Sequence, residues 1–435
     1  MSMIPDMKGL SQLISKLQYL FIALLVYRLG SFIAIPGVNP SELSRLFDSS
    51  NTLFGLFNTF SGGALSRLSL FTLGIMPYIN TSIIIQLLGS FHPYFEQLKK
   101  EGDGGRRKLS FYTRVGTIAL ATLQGFGMLN LLKNNNVLLS YDSLSIFVII
   151  LTLVTGTMTL MWIGEQISEK GLGQGTSLII FTGIVAGLPA VLGRSMDGIR
   201  YGTLSFTTFA FSVFLLLAAL YAIVFVEKAQ RKIPVYYARR ASTGPSGAVA
   251  QQRSDLPLKI NMVGVMPSIL ASSLVLAPAT IAQFFNYNSN NKILSFIQEN
   301  LSSGKPTFMV VFTIAIVFFA FYYTSVVFKP SEIAENLKKS GGVIQGIRPG
   351  LSTAQYIETI MTRLSLLGAV YIAAVSLLPE ILNYFGTIPF SFGGTSLLIV
   401  AVVVMDFFTQ IQTNLFSAQY ENVLKRYQPK KNRLT

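Results

Sequence analysis

The chain has 435 residues, of which 51% are hydrophobic and 12% charged, and its mean hydropathy is +0.53. Soluble globular proteins carry about 25% charged residues. The composition therefore excludes that class and indicates a polytopic membrane protein. There is no cysteine, which excludes a disulfide framework and a Cys-rich metal site, and the net charge is +15.

Ten apolar runs are long enough to cross a membrane as helices, which takes about 20 residues. They lack the alternating pattern of a membrane barrel, so the sequence predicts an all-α fold. The first run is expected to be a span and not a cleavable signal peptide, because no small-residue cleavage site follows it. The predicted spans, numbered 1 to 10, are residues 17–35, 74–90, 115–132, 144–163, 177–192, 204–226, 262–284, 307–328, 364–382 and 395–413.

The stretch FSGGALSRLSLFTLGIMPYI at residues 60–79 resembles a span but contains a Gly-Gly pair, Arg67 and Pro77. Its first half is too polar and too short to cross a bilayer. Such a segment persists at membrane depth only inside a protein-lined cavity. We expect the chain to reverse at the glycine pair, with Arg67 in a water-filled outer funnel.

Lys and Arg residues are distributed unevenly between the two sides of the predicted spans. Most of the 34 lie in the N-terminus, in the loops near 99–114, 170, 228–259 and 329–363, and in the C-terminal tail. Basic loops remain in the cytoplasm. Both termini are therefore predicted to be cytoplasmic.

Residues suited to catalysis are scarce. The only histidine, His92, lies at the end of a span, where we expect an interfacial role. A His-pair metal site and a Walker-type phosphate loop are both excluded. The sequence therefore predicts no enzyme, no catalytic residue, no cofactor and no metal.

A small-solute secondary transporter is the alternative class, because such proteins also combine many spans with internal repeats. Ion-coupled carriers place ionisable groups near mid-membrane. In this chain Asp406 lies toward the cytoplasmic end of span 10, and Arg28 lies in the outer half of span 1. Neither position favours ion coupling, and the transporter remains the second hypothesis.

Two short motifs occur twice. GIMPYI at 74–79 in span 2 recurs as GVMPSI at 264–269 in span 7, and GTSLII at 175–180 in span 5 recurs as GTSLLI at 394–399 in span 10. The pairing predicts two halves of five spans. Because five is odd, equivalent spans run in opposite directions, as in an inverted repeat. Pro77 and Pro267 are expected to kink or weaken their helices.

The repeats also select a set of isoleucines. Ile79 is equivalent to Ile269 and Ile180 to Ile399, while Ile75 and Ile184 lie one helical turn away on the same faces. Six isoleucines from four helices predict a narrow apolar girdle near the midplane. Such a girdle binds no ion, so it would act as a gate or gasket. Ordinary helix packing is the alternative interpretation.

Longer strings carry a resemblance to a known family. They are SGGALSR (61–67), GDGGRRK (102–108), MWIGEQISEKGLGQGTS (161–177), GIVAGLP (183–189), NLKKSGG (336–342), GIRPG (346–350), MTRL (361–364) and GGTSLLIVAVVV (393–404). In number and order they resemble the SecY/Sec61-alpha family of protein-conducting channels over essentially the full length.

The resemblance implies a channel of the general secretory pathway whose two halves open like a clam. The halves would be residues 1–192 and 193–435. An apolar ring would seal around the moving chain, at Ile75, Ile79, Ile180, Ile184, Ile269 and Ile399. A short re-entrant plug helix would close the ring from outside, at Phe60, Ser61, Gly62, Gly63, Ala64, Leu65, Ser66, Arg67, Leu68, Ser69 and Leu70.

The same resemblance implies a lateral gate between spans 2 and 3 on one side and spans 7 and 8 on the other. Polar residues on these helices are Asn80, Gln86, Gln124, Ser272 and Ser273. They are expected to hydrogen-bond across the closed seam, each bond contributing about 0.6 to 2 kcal/mol. A signal sequence would then replace the seam and enter the lipid. Polar residues that only join helices are the alternative.

Two long cytoplasmic loops, 227–260 and 329–363, are the expected docking surfaces for the SecA ATPase and for ribosomal RNA phosphates. The resemblance makes Arg348 the principal residue for motor-driven transport, with Lys338 and Lys339 nearby. ASTGPSGA replaces a more basic run at the tip of the first loop. Arg239 and Arg240 at its base are therefore the expected ribosome contacts.

The family's other partners and its location follow from the same resemblance. The expected partners are the SecE and SecG subunits, preproteins with their signal sequences, and membrane lipid. The expected location is the bacterial cytoplasmic (inner) membrane, with several membrane passes.

Overall fold

The computed structural model describes residues 7–39, 61–134, 137–138, 142–202, 205–237, 252–285, 305–384 and 394–427. Every predicted span coincides with a helix. The helices are α1 (Met7–Gly30), α2 (Met76–Phe91), α3 (Pro93–Lys100), α4 (Asp103–Asn134), α5 (Ser143–Lys170), α6 (Gly175–Arg200), α7 (Phe206–Lys228), α8 (Met266–Phe285), α9 (Pro306–Val327), α10 (Pro330–Lys339), α11 (Leu351–Tyr384) and α12 (Gly394–Tyr427).

Within these described ranges, 7 helices are long and apolar enough to cross a membrane. They are α1, α5, α6, α7, α9, α11 and α12. The other three predicted spans correspond to α2, α4 and α8. Helix α6 continues to Arg200, so the expected division of the halves after residue 192 falls inside a helix.

The repeated Gly-x-Met-Pro motifs begin helices. Pro77 and Pro267 are each the second residue of their helix, α2 and α8. Gly74 and Gly264 precede them with φ of +59° and +63°, a backbone region that glycine enters without strain. The expectation that these prolines kink their helices was wrong, because a proline in the first turn removes no intrahelical hydrogen bond.

The second repeated motif also occupies equivalent places in the two halves. Gly175 is the first residue of α6 and Gly394 is the first residue of α12. A Cβ atom at Gly175 would collide with the carbonyl oxygen of Gly164 in α5, and one at Gly394 would collide with that of Ser376 in α11. Both glycines thus allow the last helix of a half to begin against the backbone of the preceding one.

The halves meet along two helices. Helix α8 contacts α2 and α4 of the first half as well as α9 and α11 of its own. Helix α12 contacts α1 and α6 of the first half as well as α7 and α11. The surface between the halves is therefore built mainly from the repeated motifs and the helices that they begin.

A small sheet, which the sequence did not predict, joins the two long loops that are predicted to be cytoplasmic. Its strands are β1 (Gln230–Tyr237), β2 (Gln252–Lys259) and β3 (Gly342–Ile344), in the antiparallel order β2-β1-β3. Ile233, Val235 and Ile344 pack from the sheet onto Ile357 and Met361 of α11. The loops therefore form one body that packs on α11, and we call it the cytoplasmic sheet after its predicted side of the membrane.

Candidate functional site

The six isoleucines lie in one apolar cluster. The six come from α2 and the residue that caps it, Ile75, and from α6, α8 and α12, so both halves contribute. Ile269 is partly buried, and the other five are at most 9% exposed: Ile75, Ile79, Ile180, Ile184 and Ile399. The structure thus brings together all six residues that the sequence singled out. Their role as a seal remains a prediction.

The described part of the expected plug is a series of turns. Residues 61–74 hold short-range backbone hydrogen bonds, including Ser69 N to Ala64 O at 3.0 Å and Thr72 N to Ser69 O at 3.0 Å. Gly62 and Leu68 have positive φ, of +67° and +42°. The expected helix was therefore wrong for residues 61–70, because positive φ is incompatible with a right-handed helix. Phe60 lies outside the described residues.

This segment, which we call the plug segment (residues 61–74), touches the isoleucine cluster directly. Ala64 is fully buried within the cluster. A Cβ atom on Gly62 would lie 2.9 Å from Cα of Gly183, the residue that precedes Ile184. Leu65 and Leu68 pack into a neighbouring apolar cluster formed with α4 and α5. The plug segment thus lies between the isoleucine cluster and the apolar cluster formed with α4 and α5.

The plug segment is also tied to the chain that follows α1. Ile35 N donates to Leu68 O, and Leu70 N donates to Ile33 O, both at 2.8 Å. Arg28 Nη1 donates to Gly62 O at 3.1 Å. The Arg67 guanidinium lies 4.5 Å from the centroid of the Phe32 ring, within cation–π range. The sequence signalled Arg28 and Arg67 but not their contacts.

We expect Gly62→Ala to destabilise the protein more than Gly63→Ala. Both residues have positive φ, +67° and +82°, so each substitution introduces about 1–2 kcal/mol of backbone strain. A new Cβ meets Gly183 only at Gly62, whereas the nearest atom to a Cβ at Gly63 is 4.0 Å away. Thermal unfolding of the two variants tests this difference. Equal melting temperatures would contradict the close approach of the two backbones.

The predicted gate residues belong to the three helices that form the seam, where α8 meets α2 and α4. Asn80 Oδ1 and Ser273 Oγ are buried without a hydrogen-bond partner within the described chain, while Ser272 Oγ donates to Ile269 O of its own helix. The cross-seam hydrogen bonds expected for these three are therefore not made. Gln86 is exposed and Gln124 is half-buried.

The docking residues described by the structure are exposed. Lys338 and Lys339 end α10, and Lys339 pairs with Glu335 at 3.0 Å. Arg348 lies between β3 and α11, where its carbonyl oxygen accepts a hydrogen bond of 2.9 Å from Thr353 Oγ1. Arg239 and Arg240 lie outside the described residues. The exposed cations thus belong to the body that carries the cytoplasmic sheet.

Other polar and charged groups at loop and helix ends stabilise local structure. His92 Nδ1 accepts a hydrogen bond of 3.3 Å from Tyr94 N and caps α3. A hydrogen bond from Lys100 lowers the pKa of Glu96 on the same helix. Arg114 and Glu165 join α4 to α5 at 2.8 Å.

The chain is similar in sequence to known proteins over most of its length. The sequence matches the SecY family profile over residues 69–408. It is 48% identical to the protein translocase subunit SecY of Pseudomonas aeruginosa, covering 96% of this chain and 94% of the relative. Identity to the Escherichia coli K12 subunit of the same name is also 48%, over 96% and 95% of the two chains.

Solved structures agree in fold. A protein-conducting channel superimposes with a TM-score of 0.69 at 17% identity, covering 97% of this chain and 95% of the other. Sec61 from a canine ribosome–channel complex superimposes with a TM-score of 0.66 at 17% identity and the same coverage. Because the chain matches this family, a protein-conducting channel is preferred to the alternative hypothesis, a small-solute transporter. This chain, with its ten spanning helices in two repeated halves, belongs to the SecY family.

Proposed function

We propose that the chain is the protein-conducting channel of the general secretory pathway and that it has no enzymatic activity of its own. It passes unfolded preproteins across the cytoplasmic membrane and releases hydrophobic segments sideways into lipid. The observation that carries the proposal is the single cluster of six isoleucines, built from both halves and adjoined by the plug segment, in a chain of the SecY family.

The isoleucine cluster acts as the seal. Aliphatic side chains offer no ligand to an ion, so a closed ring of them is a barrier to hydrated ions. The same side chains make no specific contact with a passing polypeptide and accommodate varied sequences. The plug segment closes the ring until a preprotein displaces it, and the ring then seals around the moving chain.

The seam along α8 acts as the lateral gate. Helix α8 contacts α2 and α4 across the seam by packing, and the oxygen atoms Asn80 Oδ1 and Ser273 Oγ are buried without a hydrogen-bond partner in the described chain. A buried polar atom without a partner destabilises the closed arrangement by about 1–3 kcal/mol. A hydrophobic signal sequence therefore separates helices that are held by packing alone.

We expect Asn80→Leu to raise the hydrophobicity that a segment needs to leave the channel sideways. The substitution removes the unpaired Oδ1 and favours the closed seam by about 1–2 kcal/mol. Membrane insertion of a series of segments with graded leucine content measures the threshold. Ser90→Leu, at an exposed position of the same helix where the hydroxyl bonds only to a carbonyl of that helix, is the control. Equal thresholds for Asn80→Leu and wild type would contradict the gate assignment.

The cytoplasmic side carries the docking surfaces, and both termini lie on that side. SecA binds through the loop that contains Lys338, Lys339 and Arg348, and the ribosome uses the same face through Arg239 and Arg240. The SecE and SecG subunits pack against lipid-facing helices. Helix α7 is suited to such contact because Phe211, Phe214 and Phe225 are exposed along it.

Reconstitution into liposomes tests the proposal. Purified complex with SecE is supplied with SecA, ATP and an unfolded preprotein, and protease protection of the preprotein is measured. We expect protection that requires ATP and all components. Movement of a small solute without either partner, combined with an absence of preprotein protection, would support a transporter instead.

A further inference from the structure

A buried carboxylate lies at the base of the cytoplasmic sheet. Glu227, in the last turn of α7, is 6% exposed, and its Oε1 accepts a hydrogen bond of 2.5 Å from Asn261 Nδ2. Asn261 is 4% exposed. Burying a carboxylate carries a large desolvation penalty that an apolar residue at the same place would avoid. Packing alone therefore does not explain the pair.

Asn261 joins two elements with one side chain. Its Nδ2 also donates to Gly264 O at 3.1 Å. Gly264 has a φ of +63° and belongs to the connector, residues 260–265, that links β2 to α8. The side chain thus ties the end of α7 to the turn at which α8 begins.

The residue before Asn261 is held by contacts with neighbouring elements. Ile260 N donates to Ala229 O at 3.1 Å, which extends the pairing of β1 and β2 to their base. A Cβ atom on Gly368 of α11 would lie 3.1 Å from Ile260 O.

The connector, unlike the segments on either side of it, contains a flexible backbone position at Gly264. A glycine at positive φ rotates easily, so a displacement of the sheet would be absorbed within residues 260–265 unless the connector were braced. The hydrogen bonds of Asn261 supply that brace, because they hold the connector to α7 at one end and to the start of α8 at the other.

We propose that Asn261, held by Glu227, is a positioning residue that transmits displacement of the cytoplasmic sheet to α8. Docking of a partner on the sheet is thereby coupled to opening of the seam between α8 and helices α2 and α4. This inference rests on the proposed function, in which the sheet carries the docking loops and α8 borders the lateral gate.

Cross-linking across the seam tests the coupling in the reconstituted channel complex. One cysteine is introduced on α2 and one on α8, and because the natural chain has no cysteine, a disulfide reports that pair alone. The fraction cross-linked is measured with and without bound ATPase motor, together with the affinity for the motor. Asn130→Ala, which removes an exposed asparagine from α4, outside both docking loops, is the control.

Three variants separate coupling from stability. Asn261→Ala is expected to lower motor-dependent opening about tenfold, corresponding to about 1.4 kcal/mol of lost coupling, with unchanged affinity for the motor. Glu227→Gln keeps an acceptor for Asn261 and is expected to open like wild type. Glu227→Met combined with Asn261→Leu removes both polar groups together, which preserves folding better than a single deletion, and is expected to be uncoupled.

Each result of this experiment either supports or overturns the inference. Wild-type opening in Asn261→Ala, or in the double variant, overturns the inference. An equal loss of motor affinity and of opening also overturns it, because the pair would then only shape the docking surface. If Asn261→Ala fails to fold, the double variant decides. A wild-type complex that shows no motor-dependent opening contradicts the proposed function itself, and this inference with it.

Discussion

Replacing both Ile79 and Ile269 with serine is expected to make the closed channel leak ions. Each substitution removes apolar burial worth about 1.5–3 kcal/mol and introduces a hydroxyl that water can solvate. The two residues come from α2 and α8, one from each half of the chain, so both halves of the seal are weakened together. We expect conductance across planar bilayers to rise about tenfold or more, since about 1.4 kcal/mol changes a population tenfold.

A matched substitution distinguishes the seal from general loosening. Ile84 is on α2 as well but is 47% exposed, outside the isoleucine cluster. Ile84→Ser should leave conductance at the wild-type level. If the double serine variant also stays at that level, the cluster is ordinary helix packing and not a gasket.

The isoleucine cluster could be predicted because it depends on repetition. Two repeated motifs aligned the halves, and the isoleucines within those motifs came together in the structure. Apolar runs predicted the ten spans for a similar reason, and each predicted span coincides with a helix, since length and apolar content determine a span. Both kinds of signal are carried by consecutive residues and need no knowledge of distant contacts.

The prolines show where local reasoning was insufficient. Pro77 and Pro267 lie within apolar runs, and the sequence does not mark where the helix starts inside such a run. The left-handed glycines three residues earlier mark that start. A Gly-x-x-Pro pattern, which puts the proline in the first turn of a helix, is the signal that the sequence offers. Proline inside an apolar run predicts a kinked helix only when the helix has already begun.

The cytoplasmic sheet and the junction beneath it depend on distant pairing. Strand β3 is three residues long and lies about 100 residues from β1, so no local periodicity marks it. Glu227 and Asn261 are 34 residues apart, and each is unremarkable in its own segment. Contacts of this kind are determined by tertiary packing, which one sequence does not reveal.

Arg348→Glu is expected to block SecA-driven export while the complex assembles normally. The side chain is exposed, so its reversal disturbs no core. The local turn is held by the Arg348 carbonyl oxygen, which accepts from Thr353 Oγ1 at 2.9 Å, and this bond does not involve the side chain. Juxtaposed like charges at a docking surface destabilise it by several kcal/mol, and about 2.7 kcal/mol corresponds to a hundredfold loss of affinity.

ATP-dependent protection of a preprotein measures export, and the yield of the purified complex measures assembly. Lys305→Glu is the control, because it changes charge by the same amount at an exposed residue that precedes α9 and is predicted to lie on the opposite side of the membrane. Export at the wild-type level in Arg348→Glu would remove the assigned role. Loss of export that disappears at high salt would instead preserve it, because the screening length for exposed charges is about 10 Å at 0.1 M and becomes shorter as salt is added.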